Sequence, residues 1–245
     1  MSLTLLPPTM LQAIELLPEK NIPVTLFTRH SIRDVTTKKG LAGYDLQLTL
    51  DGCQLAKAWG NFLSKMTQRH IVSCISSPIQ RCLDTASLMI EGAKESAGSI
   101  VPVEVISQGL LVEPGSLVVD IEKASPFFQE KGALGFINGF ISNELPGMKH
   151  ASIGVCDILQ LLYSRHPLYE AELALAVTHD TILAAILAFI TKKSYLKECD
   201  WPNMMEGVFI WFEGDSFDTC ILHWIWRGER GFISVEEIRA YKKSP

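Results

Sequence analysis

The stretch Val24-Thr25-Leu26-Phe27-Thr28-Arg29-His30-Ser31-Ile32-Arg33 decides how this chain is read. Its first five residues have the composition of a short buried strand, and polarity then changes abruptly. An imidazole between two guanidinium groups is poor core material and well suited to phosphate. Arginine forms paired hydrogen bonds with phosphate oxygens and stays charged. A neutral histidine, with a reference pKa of about 6.5, can attack phosphorus. Two later segments, Ser76-Ser77-Pro78-Ile79-Gln80-Arg81 and Val177-Thr178-His179-Asp180, supply the remaining groups that such a site requires.

Outward from this stretch, short apolar runs alternate with longer segments of helical spacing. The pattern predicts strands over 24–28, 71–76, 102–106, 172–177, 208–212 and 219–226. It predicts helices over 51–66, 77–95, 152–163 and 180–190, and a short one over 235–241. The second helix has clear start signals: Ser77 as cap, Pro78 in the first turn and Gln80 to complete a capping box. Strand–helix alternation favours an α/β fold, a three-layer α/β/α sandwich with a mostly parallel central sheet. Residues 109–150, rich in Gly, Pro and aromatics, read as an inserted cap over one end of the sheet, within a single domain of residues 1–245. Phe127, Phe128, Phe136 and Phe140 could form a lid there, although packing is the simpler use.

In open α/β sheets, ligands bind beyond the carboxyl ends of the strands. Arg29 and His30 follow the first strand, Arg81 lies in the first turn after the second, and His179 and Asp180 follow a late one. Three strand ends therefore carry polar groups that could share one phosphate. Other basic pairs read as surface: Arg69-His70, and Arg165-His166 before Pro167. Lys38 and Lys39 read as solvated loop lysines that could attract anions.

Composition narrows the function classes. The 245 residues are 47% hydrophobic and 20% charged, so a sizeable core is expected. A net charge of −5 argues against broad nucleic-acid binding. The six cysteines form no CxxC pair, and buried thiols in a reducing cytoplasm are expected. Ile182–Ile190 is too short to span a bilayer, which needs about 20 residues, and residues 1–20 lack the pattern of a leader, with a removed one left open. No zinc spacing, HExxH, EF-hand loop or GxxxxGK[ST] loop occurs.

The motifs together resemble the histidine phosphatase superfamily, the phosphoglycerate mutase-like fold. Arg29-His30-Ser31-Ile32-Arg33 resembles its Arg-His-Gly-x-Arg. Leu48-Thr49-x-x-Gly52-x-Gln54-x-Ala56-x-x-x-Gly60 resembles the following helix, and Ser76-Ser77-Pro78-x-x-Arg81-x-x-x-Thr85-Ala86 the second-arginine motif. Thr178-His179-Asp180 resembles the second-histidine motif of the acid phosphatase branch. The resemblance implies a metal-independent phosphomonoester hydrolase. His30 would be the nucleophile that becomes a phosphohistidine, and Arg29, Arg33 and Arg81 would hold the phosphoryl oxygens. His179 would donate a further hydrogen bond to the phosphoryl group, and Asp180 would protonate the leaving oxygen. Glu113, in Leu111-Val112-Glu113, resembles the proton donor of the mutase-like branch and is the alternative acid.

Uncatalysed phosphomonoester hydrolysis is extremely slow, so positioned positive charge and a proton for the leaving oxygen are both needed. With Asp180 as donor the expected pH optimum is acidic. Ser31 departs from the family's glycine; if the position demands a left-handed backbone or close approach, serine costs about 1 kcal/mol or more. The implied partner is a phosphorylated small molecule or phosphopeptide, with no cofactor, nucleic acid or membrane. A phosphotransferase or mutase using the same phosphohistidine is the enzymatic alternative. A catalytically weak phospholigand-binding protein, marked by Ser31, is the alternative of another class.

Overall fold

All six residues of the first strand, β1 (Val24–Arg29), are buried. A strand covered on both faces needs a layer on each side, and the computed structural model, which describes residues 2–34, 43–97, 102–113 and 115–241, has both. Seven strands form one sheet: β1, β2 (His70–Ser76), β3 (Val105–Ser107), β4 (Glu172–Thr178), β5 (Gly207–Glu213), β6 (Ile221–Trp226) and β7 (Glu229–Ser234). Their spatial order is β3-β2-β4-β1-β5-β6-β7. The block β3-β2-β4-β1 is parallel, as expected, and β5, β6 and β7 extend it antiparallel.

Alternate residues of the strands feed separate cores. Val24 and Leu26 of β1, with Leu173, Leu175 and Val177 of β4, pack against α1 (Pro8–Glu15), α2 (Leu50–Thr67) and α3 (Gln80–Ala97). Phe27 and Ala176 face the other way, towards α4 (Ile121–Ile141), α5 (Ala151–Ser164), α6 (Asp180–Ile190) and α7 (Val235–Arg239). This is the expected three-layer sandwich. α2 and α3 lie unusually close: a Cβ on Gly60 would sit 2.0 Å from the Met89 carbonyl oxygen, and one on Gly92 1.9 Å from that of Lys57. Every residue of α6 from Thr181 to Ile190 is buried, because the helix is enclosed by the sheet and its neighbours.

Three elements differ from the sequence expectation. α1 was not foreseen, and Pro7-Pro8 starts it, because proline suits the first turn of a helix. Residues 121–141, within the glycine- and proline-rich region, are helical, with a break at Gly132 (φ 65°). Phe136 and Phe140 are buried core residues of that helix, and the Phe128 ring meets Phe136 edge-on at 5.2 Å. β7 was not foreseen, since its burial is confined mostly to Ile233.

Two surface expectations hold for only one member of each pair: His70 and Arg165 are exposed, whereas Arg69 and His166 are not. Arg69 is only 2% exposed, and its guanidinium donates to the carbonyls of Ile22 (2.7 Å), Pro18 (2.9 Å) and Glu19 (3.0 Å). It closes the turn before β1 from the far end of α2. His166 is half-buried, with its Nδ1 2.9 Å from the Thr25 hydroxyl, and burial lowers its pKa to about 4. Among the described residues no helix is long and apolar enough to cross a membrane. Lys38 and Lys39 lie outside the described residues.

The Arg69 bonds generate a prediction. Arg69→Ala strands three carbonyls and should lower stability by about 3 kcal/mol, with little change in turnover per folded molecule. Urea unfolding of both proteins, beside their specific activities, checks it; an unchanged midpoint would contradict the structural role.

Candidate active site

β1, β4 and β2 are adjacent and parallel, so their carboxyl ends open on one side of the sheet. The ladder continues one step past each strand: the His30 N–H donates to the Thr178 carbonyl, and the Ser77 N–H to that of Val177, both at 2.9 Å. These bonds bring His30, Ser77 and His179 to the same level. The His30 and His179 rings meet nearly edge-on, with centroids 5.7 Å apart.

His30 is buried, and its Nδ1 lies 2.7 Å from the Ser31 carbonyl oxygen. A carbonyl can only accept, so Nδ1 carries the proton and Nε2 keeps its lone pair. Burial, followed by the charge of Arg29, holds the imidazole pKa well below its ordinary value. The ring is therefore neutral, oriented and nucleophilic at Nε2.

The Ser31 backbone is not in the left-handed region, so the strain conditionally expected there does not arise. Its buried hydroxyl donates to the Gly52 carbonyl at 2.7 Å, and its N–H donates to the Thr85 hydroxyl at 3.0 Å. The close approach belongs to Gly52, where a Cβ would lie 2.0 Å from the Ile32 carbonyl oxygen. The start of α2 thereby supports the loop that carries His30.

Arg29 donates from Nη1 to the Pro202 carbonyl at 2.8 Å, and its Nη2 lies 2.6 Å from Asp180 Oδ2. Its buried Nε has no acceptor among the described residues, and the same is true of Arg33 Nε. Arg33 also donates from Nη1 to the Asp34 carbonyl. Arg81, fully buried, donates from Nη1 to the Gly43 carbonyl at 2.8 Å, and its Nη2 lies 3.1 Å from His179 Nδ1.

The last contact defines His179. Guanidinium N–H can only donate, so Nδ1 is the acceptor and Nε2–H donates to Ser77 Oγ at 2.9 Å. Burial, then Arg81, Arg29 and Arg33, lowers its pKa to about 3. Both ring nitrogens are thus engaged by the protein, Nδ1 with Arg81 and Nε2 with Ser77. Ser77 Oγ also accepts from the Ile79 N–H at 3.4 Å, as expected of a cap, but no capping box forms because Gln80 reaches forward to Asp84.

The two candidate acids differ sharply. Asp180 accepts from Arg29 and from the Trp201 indole (3.3 Å) at Oδ2, and from the Thr181 N–H (2.9 Å) at Oδ1. Glu113 is buried, with Oε2 3.7 Å from His179 Nδ1. Burial, then the charge of Asp180, raises its pKa to about 8, against the pull of Arg29 and Arg81. Its segment is pinned to the strand ends: the Gln108 N–H donates to Ser76 (2.8 Å), the Thr178 hydroxyl to Leu111 (2.9 Å), and the Tyr44 hydroxyl to the Glu113 carbonyl. Six of the seven residues singled out from the sequence are linked by contacts at the strand ends, and Arg33 reaches them through its charge, which acts on Arg81 and His179. The site adds Ser77, Tyr44, Trp201 and Pro202, the last two from a loop with no chemical motif.

Comparison with known proteins agrees with the fold. Residues 25–105 match the family model described as histidine phosphatase superfamily (branch 1). The match does not reach His179-Asp180, the motif behind the expected closeness to acid phosphatases. No curated protein matches the sequence. Among solved structures, mycobacterial glucosyl-3-phosphoglycerate phosphatase is 17% identical with a TM-score of 0.54, covering 84% of this chain and 99% of that one. Phosphoglycerate mutase from Bacillus anthracis is 14% identical with a TM-score of 0.52, covering 90% and 96%. The resemblance to the histidine phosphatase superfamily thus holds, and the architecture is the phosphoglycerate mutase-like sandwich.

The hydrogen-bonding pattern of His30 is directly measurable. Nitrogen-15 NMR should show the Nδ1–H tautomer with unprotonated Nε2 from about pH 8 down to about pH 5.5. Titration of His30 with a midpoint near its ordinary value would contradict the buried, neutral ring.

Proposed function

We propose that this protein is a phosphomonoester hydrolase that works through a phosphohistidine on His30 and needs no metal. One observation carries the reading: a neutral imidazole, held by the Ser31 carbonyl with its Nε2 lone pair available, among arginine side chains at the strand ends. In the first step Nε2 attacks phosphorus and the bond from phosphorus to the ester oxygen breaks. Arg29, Arg33 and Arg81 bear the charge of the equatorial oxygens, with His179 keeping Arg81 in place. In the second step water attacks the phosphohistidine and His30 leaves with its lone pair restored.

The departing alkoxide needs a proton, and we assign its delivery to Glu113 in preference to Asp180. A carboxyl group whose pKa is raised to about 8 holds its proton at neutral pH, and Glu113 Oε2 lies 3.7 Å from His179 Nδ1. Once ionised, it accepts the proton of the attacking water. Both oxygens of Asp180 already accept hydrogen bonds, which suits that residue to holding Arg29. Glu113 lies on the segment 109–150, and we assign that segment substrate selection as well as the acid. The substrate class is a phosphorylated small molecule or phosphopeptide. The phospholigand-binding alternative rested on Ser31, whose backbone is unstrained and whose hydroxyl is satisfied by Gly52.

Phosphate release from a phosphoester panel in EDTA should be abolished in His30→Ala, and the wild type should form an acid-labile, alkali-stable phosphoenzyme. Equal rates for the two proteins would remove His30 from the reaction. Transfer of the phosphoryl group to an added alcohol in preference to water would instead favour a phosphotransferase.

The donor assignment is tested separately. Glu113→Gln should lose at least about 100-fold on alkyl phosphates while sparing p-nitrophenyl phosphate, whose leaving group needs no proton. A raised carboxyl pKa means that the active, protonated form is lost as pH rises, so wild-type kcat/KM on alkyl phosphates should fall above about pH 8. Should Asp180→Asn show the substrate-dependent loss and Glu113→Gln not, the donor is Asp180.

A further inference from the structure

The groups that hold Arg29 belong to a loop with its own anchor. On one side, residues 199–206 contact the site repeatedly. The Pro202 carbonyl accepts from Arg29 Nη1, and the Trp201 indole donates to Asp180. The Glu206 carbonyl accepts from the Arg29 N–H (3.0 Å) and the Thr28 hydroxyl (3.1 Å), and the Met205 N–H donates to the His30 carbonyl (3.0 Å). On the other side, the Glu206 carboxylate is 1% exposed and takes a two-pronged grip from Arg227, Nε to Oε1 at 2.8 Å and Nη2 to Oε2 at 2.7 Å. Arg227 also donates to the main-chain carbonyls of Trp201 (2.9 Å) and Cys199. Asn203 adds its N–H and its side-chain amide to Oε2, and Thr9 its hydroxyl to Oε1.

We propose that Arg227 is a positioning residue: gripping Glu206 and the loop carbonyls, it locks residues 199–206 into a strap that aims the Arg29 guanidinium at the phosphoryl group. The inference rests on the hydrolase reading above. Arg227 donates to Glu206, Trp201 and Cys199, and its influence on the site passes through the strap. It stands at the β6–β7 turn with φ 48°, and Met205 in the strap has φ 65°, backbone conformations that persist when surrounding bonds enforce them. The planar guanidinium can span two carboxylate oxygens and two carbonyls at once; a lysine ammonium supplies the charge but not that span. Pro202, lacking an N–H of its own, offers only its carbonyl, so the direction of the strap decides where Arg29 Nη1 is drawn. An error of about 1 Å in the aim of a phosphate-binding arginine costs on the order of 100-fold in rate, which makes a rigid anchor consequential.

The test uses Arg227→Met, Arg227→Lys and Trp201→Phe in the full chain, with folding followed by circular dichroism. Arg227→Met should raise KM for a phosphomonoester and the inhibition constant of orthophosphate by about tenfold each, and lower kcat by a similar factor. The fall of kcat/KM above about pH 8, assigned to Glu113, should stay where it is in the wild type. Arg227→Lys should recover part of the loss, and Trp201→Phe should raise KM by about threefold. A folded Arg227→Met with KM, kcat and orthophosphate inhibition all within about twofold of wild type would overturn the strap. If Arg227→Met does not fold, unchanged constants in both Arg227→Lys and Trp201→Phe do so instead. A wild type without phosphatase activity would sink the hydrolase reading. Orthophosphate titration by calorimetry then still decides the strap, because about tenfold weaker binding to the Arg227 variant is expected and equal binding refutes it.

Discussion

Burying Arg29 and Arg81 beyond the ends of β1 and β2, on either side of β4, is the constraint on which the rest of the site depends. A guanidinium withdrawn from water costs several kcal/mol unless its N–H groups find acceptors. The chain supplies them from afar: Pro202 and Asp180 for Arg29, Gly43 and His179 for Arg81. Neighbouring positive charge, added to desolvation, keeps both histidines neutral, and a neutral His30 is what a nucleophile requires. The opposite effect falls on Glu113, which burial and Asp180 drive towards its protonated form. One crowded set of charges thus favours the neutral form of His30 and the protonated form of Glu113.

Precision comes from the sheet. Main-chain bonds beyond the ends of β1 and β2 tie His30 and Ser77 to β4, so three side chains separated by as much as 149 positions share one plane of the molecule. Behind them, Gly52 lets α2 press on the Ile32 carbonyl, while Ser31 is bonded to both α2 and α3. The nucleophile loop is therefore clamped from the helical layer as well as from the sheet. The strap on the other side performs the equivalent service for Arg29.

Much of the scaffold was legible in the chain. Asp180–Ile190 was read with its observed limits, because its apolar residues are uninterrupted and Asp180 marks the start. β1 was read one residue short, since Arg29 looks like a loop residue but its backbone still pairs with Thr178. α4 was obscured by the glycines and prolines around it, although Phe136-Ile137 and Phe140-Ile141 repeat at helical spacing. Arg69 misled because a charged pair reads as surface; three main-chain carbonyls that no sequence pattern announces make its burial tolerable. Ser77 and Gln80 have the spacing of a capping box, but the Ser77 N–H pairs with the Val177 carbonyl and the Gln80 side chain with Asp84, so only the Ser77 cap remains.

Sequence alone determined the inventory and its order: apolar runs that demand two covering layers, and basic residues placed where parallel strands end. These follow from local composition and period, which every short window of the chain contains. Tertiary structure decided the division of labour. Which carboxyl group keeps a proton, which histidine is free at a ring nitrogen and which carbonyl holds Arg29 depend on desolvation and on distances of a few ångströms between segments far apart in the chain. Glu113 and Asp180 are both acidic letters near motif residues; only their surroundings, one enclosed beside another carboxylate and the other bonded to a guanidinium, make them chemically different.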